Sequence, residues 1–81
     1  MKYVKEVSAL FQGHCRHVAM LSPRDYVLIA EWEKQEIPLT IVANTMHEVC
    51  EKLNGEVTEI QSVEYFQEPI KRNFREWLQS A

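Results

Sequence analysis

The chain has 81 residues, 46% of them hydrophobic and 26% charged, with a net charge of -3. That length leaves room for one domain over residues 1–81, near the lower end of what folds alone, and that charge excludes strong nonspecific attachment to nucleic acid. No apolar run approaches the roughly 18 residues of a membrane span, and the opening MKYVKEVSALFQ has Glu6 where a signal peptide needs a clean apolar stretch.

A cytoplasmic location is therefore expected, with Cys15 and Cys50 reduced. With two glycines and three prolines there are few breakers, so long helices are expected. The charge is uneven. Residues 1–30 hold four bases and two acids, residues 31–68 two bases and nine acids, and residues 69–81 three bases and one acid.

Tyr3, Val7, Leu10 and Phe11 recur at helical spacing, which predicts a first helix over about 2–12, ended by Gly13. A polar link follows. Ser22-Pro23 then gives a strong start signal, a favoured N-cap followed by a proline at the first helical position. Asp25 stands where it can complete a capping box, and Leu21 and Tyr26 occupy the positions of a hydrophobic staple. Leu28, Ile29 and Trp32 supply the core stripe of this second helix, over about 23–36.

Pro38 forbids its continuation in register and pushes Ile37 out of the helical region. A third helix over about 39–54 restarts there, with Leu39, Val42, Met46, Val49 and Leu53 on one face and Gly55 as its stop. Residues 56–61 read as a linker. Ser62 then caps a fourth helix, about 62–79, which Pro69 should kink or split near Glu68. Its apolar line is Val63, Phe66, Ile70, Phe74, Trp77 and Leu78. The fold expected is an all-α bundle of about four helices.

Residue chemistry gives little support to an enzyme, and no cofactor is implied. His14, Cys15 and His17 cluster in sequence, and His47 and Cys50 share a helical face, yet no Cys-x-x-Cys or paired-histidine spacing is present. These five are outside candidates for a metal site, and no metal is expected. His47-Glu48-Val49-Cys50-Glu51 begins like a zinc-peptidase motif but has Glu51 where the second imidazole belongs. Cys15 lacks an identifiable base and orienting group, and no glycine-rich phosphate loop occurs.

The stretch that most resembles a binding surface is Tyr65 to Trp77, where aromatics alternate with Lys71, Arg72 and Arg75. Exposed, such residues suit stacking and phosphate contacts; buried, the aromatics are core and the cations complement a helix C-terminus. Helical spacing favours burial for Phe66, Ile70, Phe74 and Trp77, while Tyr65 lies off that line.

Leu21-Ser22-Pro23-x-Asp25-x-x-Leu28-Ile29-x-x-Trp32, then Ile37-Pro38-Leu39-x-x-Val42, then Ser62-Val63-x-Tyr65 resembles a family of small uncharacterised bacterial helical proteins. More distantly, residues 21–77 are similar to the C-terminal helical domain of DnaD-type primosomal proteins, which help load the replicative helicase and bind DNA. That family's Tyr-x-x-x-Ile-x-x-x-Trp pattern falls on Phe66, Ile70 and Phe74 here, with Phe at both aromatic positions. The resemblance implies a non-enzymatic, DNA- or replication-associated accessory module that would use Lys71, Arg72, Arg75 and Tyr65. The alternative expectation is a protein–protein adaptor with no nucleic-acid role.

Overall fold

Val7 and Phe11 lie one helical turn apart, and helix α1 (Lys2–His14) buries both completely. The computed structural model describes residues 2–80, and within them the chain is all-helical, with four α-helices and no strand. Gly13 does not stop α1 as expected. It is helical, and the Cys15 N–H still bonds the Phe11 carbonyl at 2.8 Å, because Cys15 is drawn fully into the core.

Helix α2 (Pro23–Lys34) begins as its sequence demands, with extended Ser22 as N-cap, proline at the first position and a reciprocal capping box with Asp25. It ends two residues before the expected Glu36. Ile37 is buried and precedes Pro38, so it can neither stay helical nor leave the core. The chain resolves this with a Schellman turn. The Ile37 N–H bonds the Trp32 carbonyl at 3.1 Å, and the Glu36 N–H bonds the Glu33 carbonyl at 2.9 Å. Glu36 takes the left-handed conformation this turn requires, at φ 61°.

Helix α3 (Leu39–Lys52) closes in the same way, two residues before the expected boundary. Asn54 (φ 54°), not Gly55, is the left-handed residue next to the cap, and its N–H reaches the Glu51 carbonyl. Gly55 follows at φ 79° and bonds the Cys50 carbonyl at 3.2 Å. Asn tolerates this conformation better than most residues, so the stop falls one position earlier than glycine alone suggested.

The two links between helices are structural elements too. Cys15, Val18 and Leu21 from the first and Ile60 from the second are buried. His17 and Ile60 join the links at 2.7 Å, and since a carbonyl only accepts, it is His17 Nε2–H that donates.

The expected fourth helix is two elements, a 3-10 turn (Val63–Phe66) and helix α4 (Gln67–Ser80). The split falls just before Gln67. Pro69 sits in the first turn of α4, where its missing N–H would have no helical partner in any case, and the expected break falls two residues before it.

Helix α3 is central, packing against α1 and against α4, while α2 packs on α1 and the 3-10 turn. Phe11 meets Phe66 edge-on at 6.1 Å. Two polar ties fix the helices. The Tyr3 hydroxyl donates to the Ile37 carbonyl at 2.8 Å, pinning the start of α1 to the α2–α3 joint. Burial, with a smaller contribution from the charge of Glu33, raises the Tyr3 pKa to about 12. On the other side, Asn73 Nδ2 donates to Thr45 Oγ1 at 2.9 Å, joining α4 to α3.

The densest polar arrangement surrounds Asp25, which is buried. Oδ2 accepts from the Ser22 N–H at 2.9 Å and from Ser22 Oγ at 3.1 Å. Oδ1 accepts from Ser62 Oγ and from the Val63 N–H at 3.1 Å. One carboxylate therefore completes the cap of α2 and holds the start of the 3-10 turn. Burial by itself would raise its pKa, but the hydrogen bonds from Ser62, Ser22 and Val63 outweigh burial and hold it below the ordinary 3.8.

Two predictions follow from these contacts. Asp25→Ala should destabilise the fold by about 3 kcal/mol in urea unfolding, because buried donors lose a charged acceptor. The wild-type contribution should be complete above pH 3.8 and lost as pH falls through the lower folded pKa. In Asp25→Asn that part of the acid dependence should vanish. Separately, Glu36→Gly should stabilise the chain by up to about 1 kcal/mol, since glycine removes the left-handed strain. A lower thermal midpoint for that variant would contradict the argument.

Candidate interaction surface

Ile70, Phe74, Trp77 and Leu78 recur at three- and four-residue steps, so they share one face of α4. The core follows this face only part of the way. Ile70 is fully buried and Phe74 half-buried, but Trp77 is 45% exposed and Leu78 53% exposed. This corrects the expectation that the whole line packs inside. Asn73 is the polar tie to α3, and beyond it the apolar face runs on without cover. The Phe74 and Trp77 rings lie nearly parallel, 6.0 Å apart, and hold each other in place.

The predicted cations lie beside this stripe. Lys71, Arg72 and Arg75 fall on one flank of α4 by helical geometry, with Arg72 and Arg75 exposed and Lys71 half-buried. Among the described residues the ion pair formed is Arg24–Glu64 at 3.3 Å, so the three cations of α4 have no carboxylate partner. Tyr65 is exposed as expected, but it belongs to the 3-10 turn and leans edge-on against Phe66 at 5.6 Å. It precedes α4 and lies away from the Trp77 end. Lys2 and Lys5 are on α1, which packs on α3 rather than on α4. The main packing of α1 is on α3 and α2, and that of α4 is on α3 and the 3-10 turn.

A second apolar feature was not anticipated. A shallow cleft of about 640 Å³ runs between α1 and α3, floored by Ala9, Leu10, Gly13, Leu39 and Ala43, with Glu6 on its rim. Small side chains make it: a Cβ on Gly13 would meet nothing within 4 Å. The signal was present as Ala9-x-x-x-Gly13 on the side of α1 that carries Leu10, but it shows only once Ala43 is placed opposite.

The metal-capable residues do not converge. His14 and His47 approach to 6.3 Å between ring centres and line a smaller cleft with Cys50. Cys15 lies inside the core, where burial, with a smaller effect from Cys50, raises its pKa to about 11, and such a thiol stays protonated and unreactive. His17 is committed to Ile60. Among the described residues no three His, Cys, Asp or Glu side chains form a metal-binding group. Nor is any helix long and apolar enough to cross a membrane.

Comparison with protein families, curated proteins and solved structures finds no match for this chain. The likeness to DnaD-type domains thus rests on the residues quoted for it.

Unequal burial along one stripe predicts unequal energetics. Ile70→Ala should cost about 2–5 kcal/mol, as deletions from a packed core do. Trp77→Ala and Leu78→Ala should each cost about 1 kcal/mol or less. Denaturant unfolding of the three variants checks this, and equal losses at Ile70 and Trp77 would show that the stripe is uniformly packed after all.

Proposed function

We propose that this chain is a protein-interaction module and that the second half of α4 is its contact element. The observation behind this reading is that Trp77 and Leu78 continue the core stripe of α4 into solvent. A small domain gains by burying its tryptophans, and tryptophan beside arginine is the composition of interface hot spots. The three- and four-residue spacing of Phe74, Trp77 and Leu78 is also how an amphipathic helix presents anchors to a groove. Lys71, Arg72 and Arg75 alongside, which form no ion pair among the described residues, give the partner surface its chemistry, an apolar groove with an acidic border.

A nucleic-acid role, suggested by the resemblance and by the same three cations, has less support. The chain is net acidic, Arg24 is engaged by Glu64, and the basic residues of α1 and α4 sit on helices that α3 separates. Three cations on one helix supply few phosphate contacts.

The two readings part on which residues matter. Proteins retained by the wild-type chain should be lost with Trp77→Ala or Leu78→Ala, whose folds stay intact. DNA titrated at low salt should show no binding that depends on Arg72 or Arg75. Salt-sensitive DNA binding abolished by Arg72→Glu and Arg75→Glu, together with protein retention indifferent to Trp77, would reverse the assignment.

A further inference from the structure

The chain offers an apolar helix face flanked by Lys71, Arg72 and Arg75 and, elsewhere, an apolar cleft with Glu6 on its rim. We infer that the two are halves of one contact: the second half of α4 docks in the α1–α3 cleft of a second copy of this chain. The inference rests on the reading of α4 as a contact element and names its partner.

The same chain cannot make this contact. Ala43 floors the cleft, and Thr45 is the residue of α3 that receives Asn73 of α4. Two residues apart on a helix of 3.6 residues per turn means roughly 200° around its axis, so cleft and α4 lie on opposite sides of α3. A chain that has both halves but cannot join them internally can join them between copies. Two copies related by a two-fold axis, each placing α4 in the other's cleft, form both contacts at once and close the assembly.

Size and charge agree with this pairing. Ala9, Gly13 and Ala43 leave the cleft open enough for large side chains, and Trp77 and Leu78 are the large side chains left without cover. Glu6 stands on the rim, and Glu51 lines the small cleft that adjoins at Gly13 and His14. Among the described residues Lys71, Arg72 and Arg75 form no ion pair, though Glu68 and Glu76 stand one turn either side of Arg72, and Glu6 and Glu51 offer them carboxylates across the contact. Lys2 and Lys5 lie outside the lining of either cleft.

The test is sedimentation of the full chain from low-micromolar to near-millimolar concentration. A reversible dimer is expected. Trp77→Ala should weaken it at least about tenfold, as truncation of a central interface tryptophan does. Gly13→Leu fills the cleft from a position with open space above it and should weaken the dimer similarly, with its helical signal and melting curve retained. Thr40→Arg, at an exposed position in the same lining, serves as a second plug should the leucine disturb α1. The mixture is the decisive measurement. Trp77→Ala retains its cleft and Gly13→Leu retains its α4, so together they should form a one-to-one pair tighter than either alone, through the one remaining contact.

A wild-type chain that stays monomeric overturns the inference. So does a dimer abolished by Trp77→Ala but untouched by both plugs, which would be an α4-to-α4 contact. A monomer that still retains other proteins through Trp77 defeats the self-pairing and leaves the interaction reading standing.

Discussion

Asp25 is the constraint on which the arrangement of this bundle depends. Its two oxygens receive four donors from two segments, Ser22 before α2 and Ser62-Val63 at the start of the 3-10 turn, the latter 37 residues on from Asp25 itself. Each segment is a helix start, with donors that lack helical partners. Sharing one buried carboxylate satisfies both and fixes their separation. Since the 3-10 turn leads directly into α4, Asp25 also sets where α4 begins, and hence how far it runs beyond the core.

That reach explains the contrast within α4. The helix has 14 residues, but its tie to α3, Asn73 to Thr45, falls at the middle of it. The core takes Phe66 and Ile70 completely and Phe74 only in part. Trp32, the other tryptophan, is buried, with an indole N–H that has no partner. Trp77 and Leu78 lie past Ile70, the last fully buried residue of the stripe, so the end of that stripe adds little to the fold.

Helix starts were legible in the sequence because caps are local. Ser22, Pro23, Asp25 and Ser62 act on backbone groups within three residues, and each is found in its expected role. Helix ends were less legible. Gly13 is a stop by its identity, but buried Cys15 keeps the helix going; Glu36 is helical by pattern, but buried Ile37 before Pro38 forces it left-handed. In both cases a tertiary demand decides a local conformation. The second use of Asp25, bonding Ser62 and Val63, was invisible for the same reason.

The candidate interaction surface is half legible, and the missing half is instructive. Periodicity places Phe74, Trp77 and Leu78 on one face with certainty, but periodicity has no knowledge of where the supporting helix ends. An apolar stripe reads identically whether it faces a core or solvent. The cleft was harder still, because it consists of what Ala9, Gly13 and Ala43 lack, and an absence of side chain has no periodic signature. What joins the two is an asymmetry of charge, Glu6 on the rim of the cleft and Lys71, Arg72 and Arg75 beside the stripe of α4. In a monomer that asymmetry has no structural use, since α4 faces α3 through an amide and a hydroxyl rather than through its cations. Between two copies it orients one chain on the other.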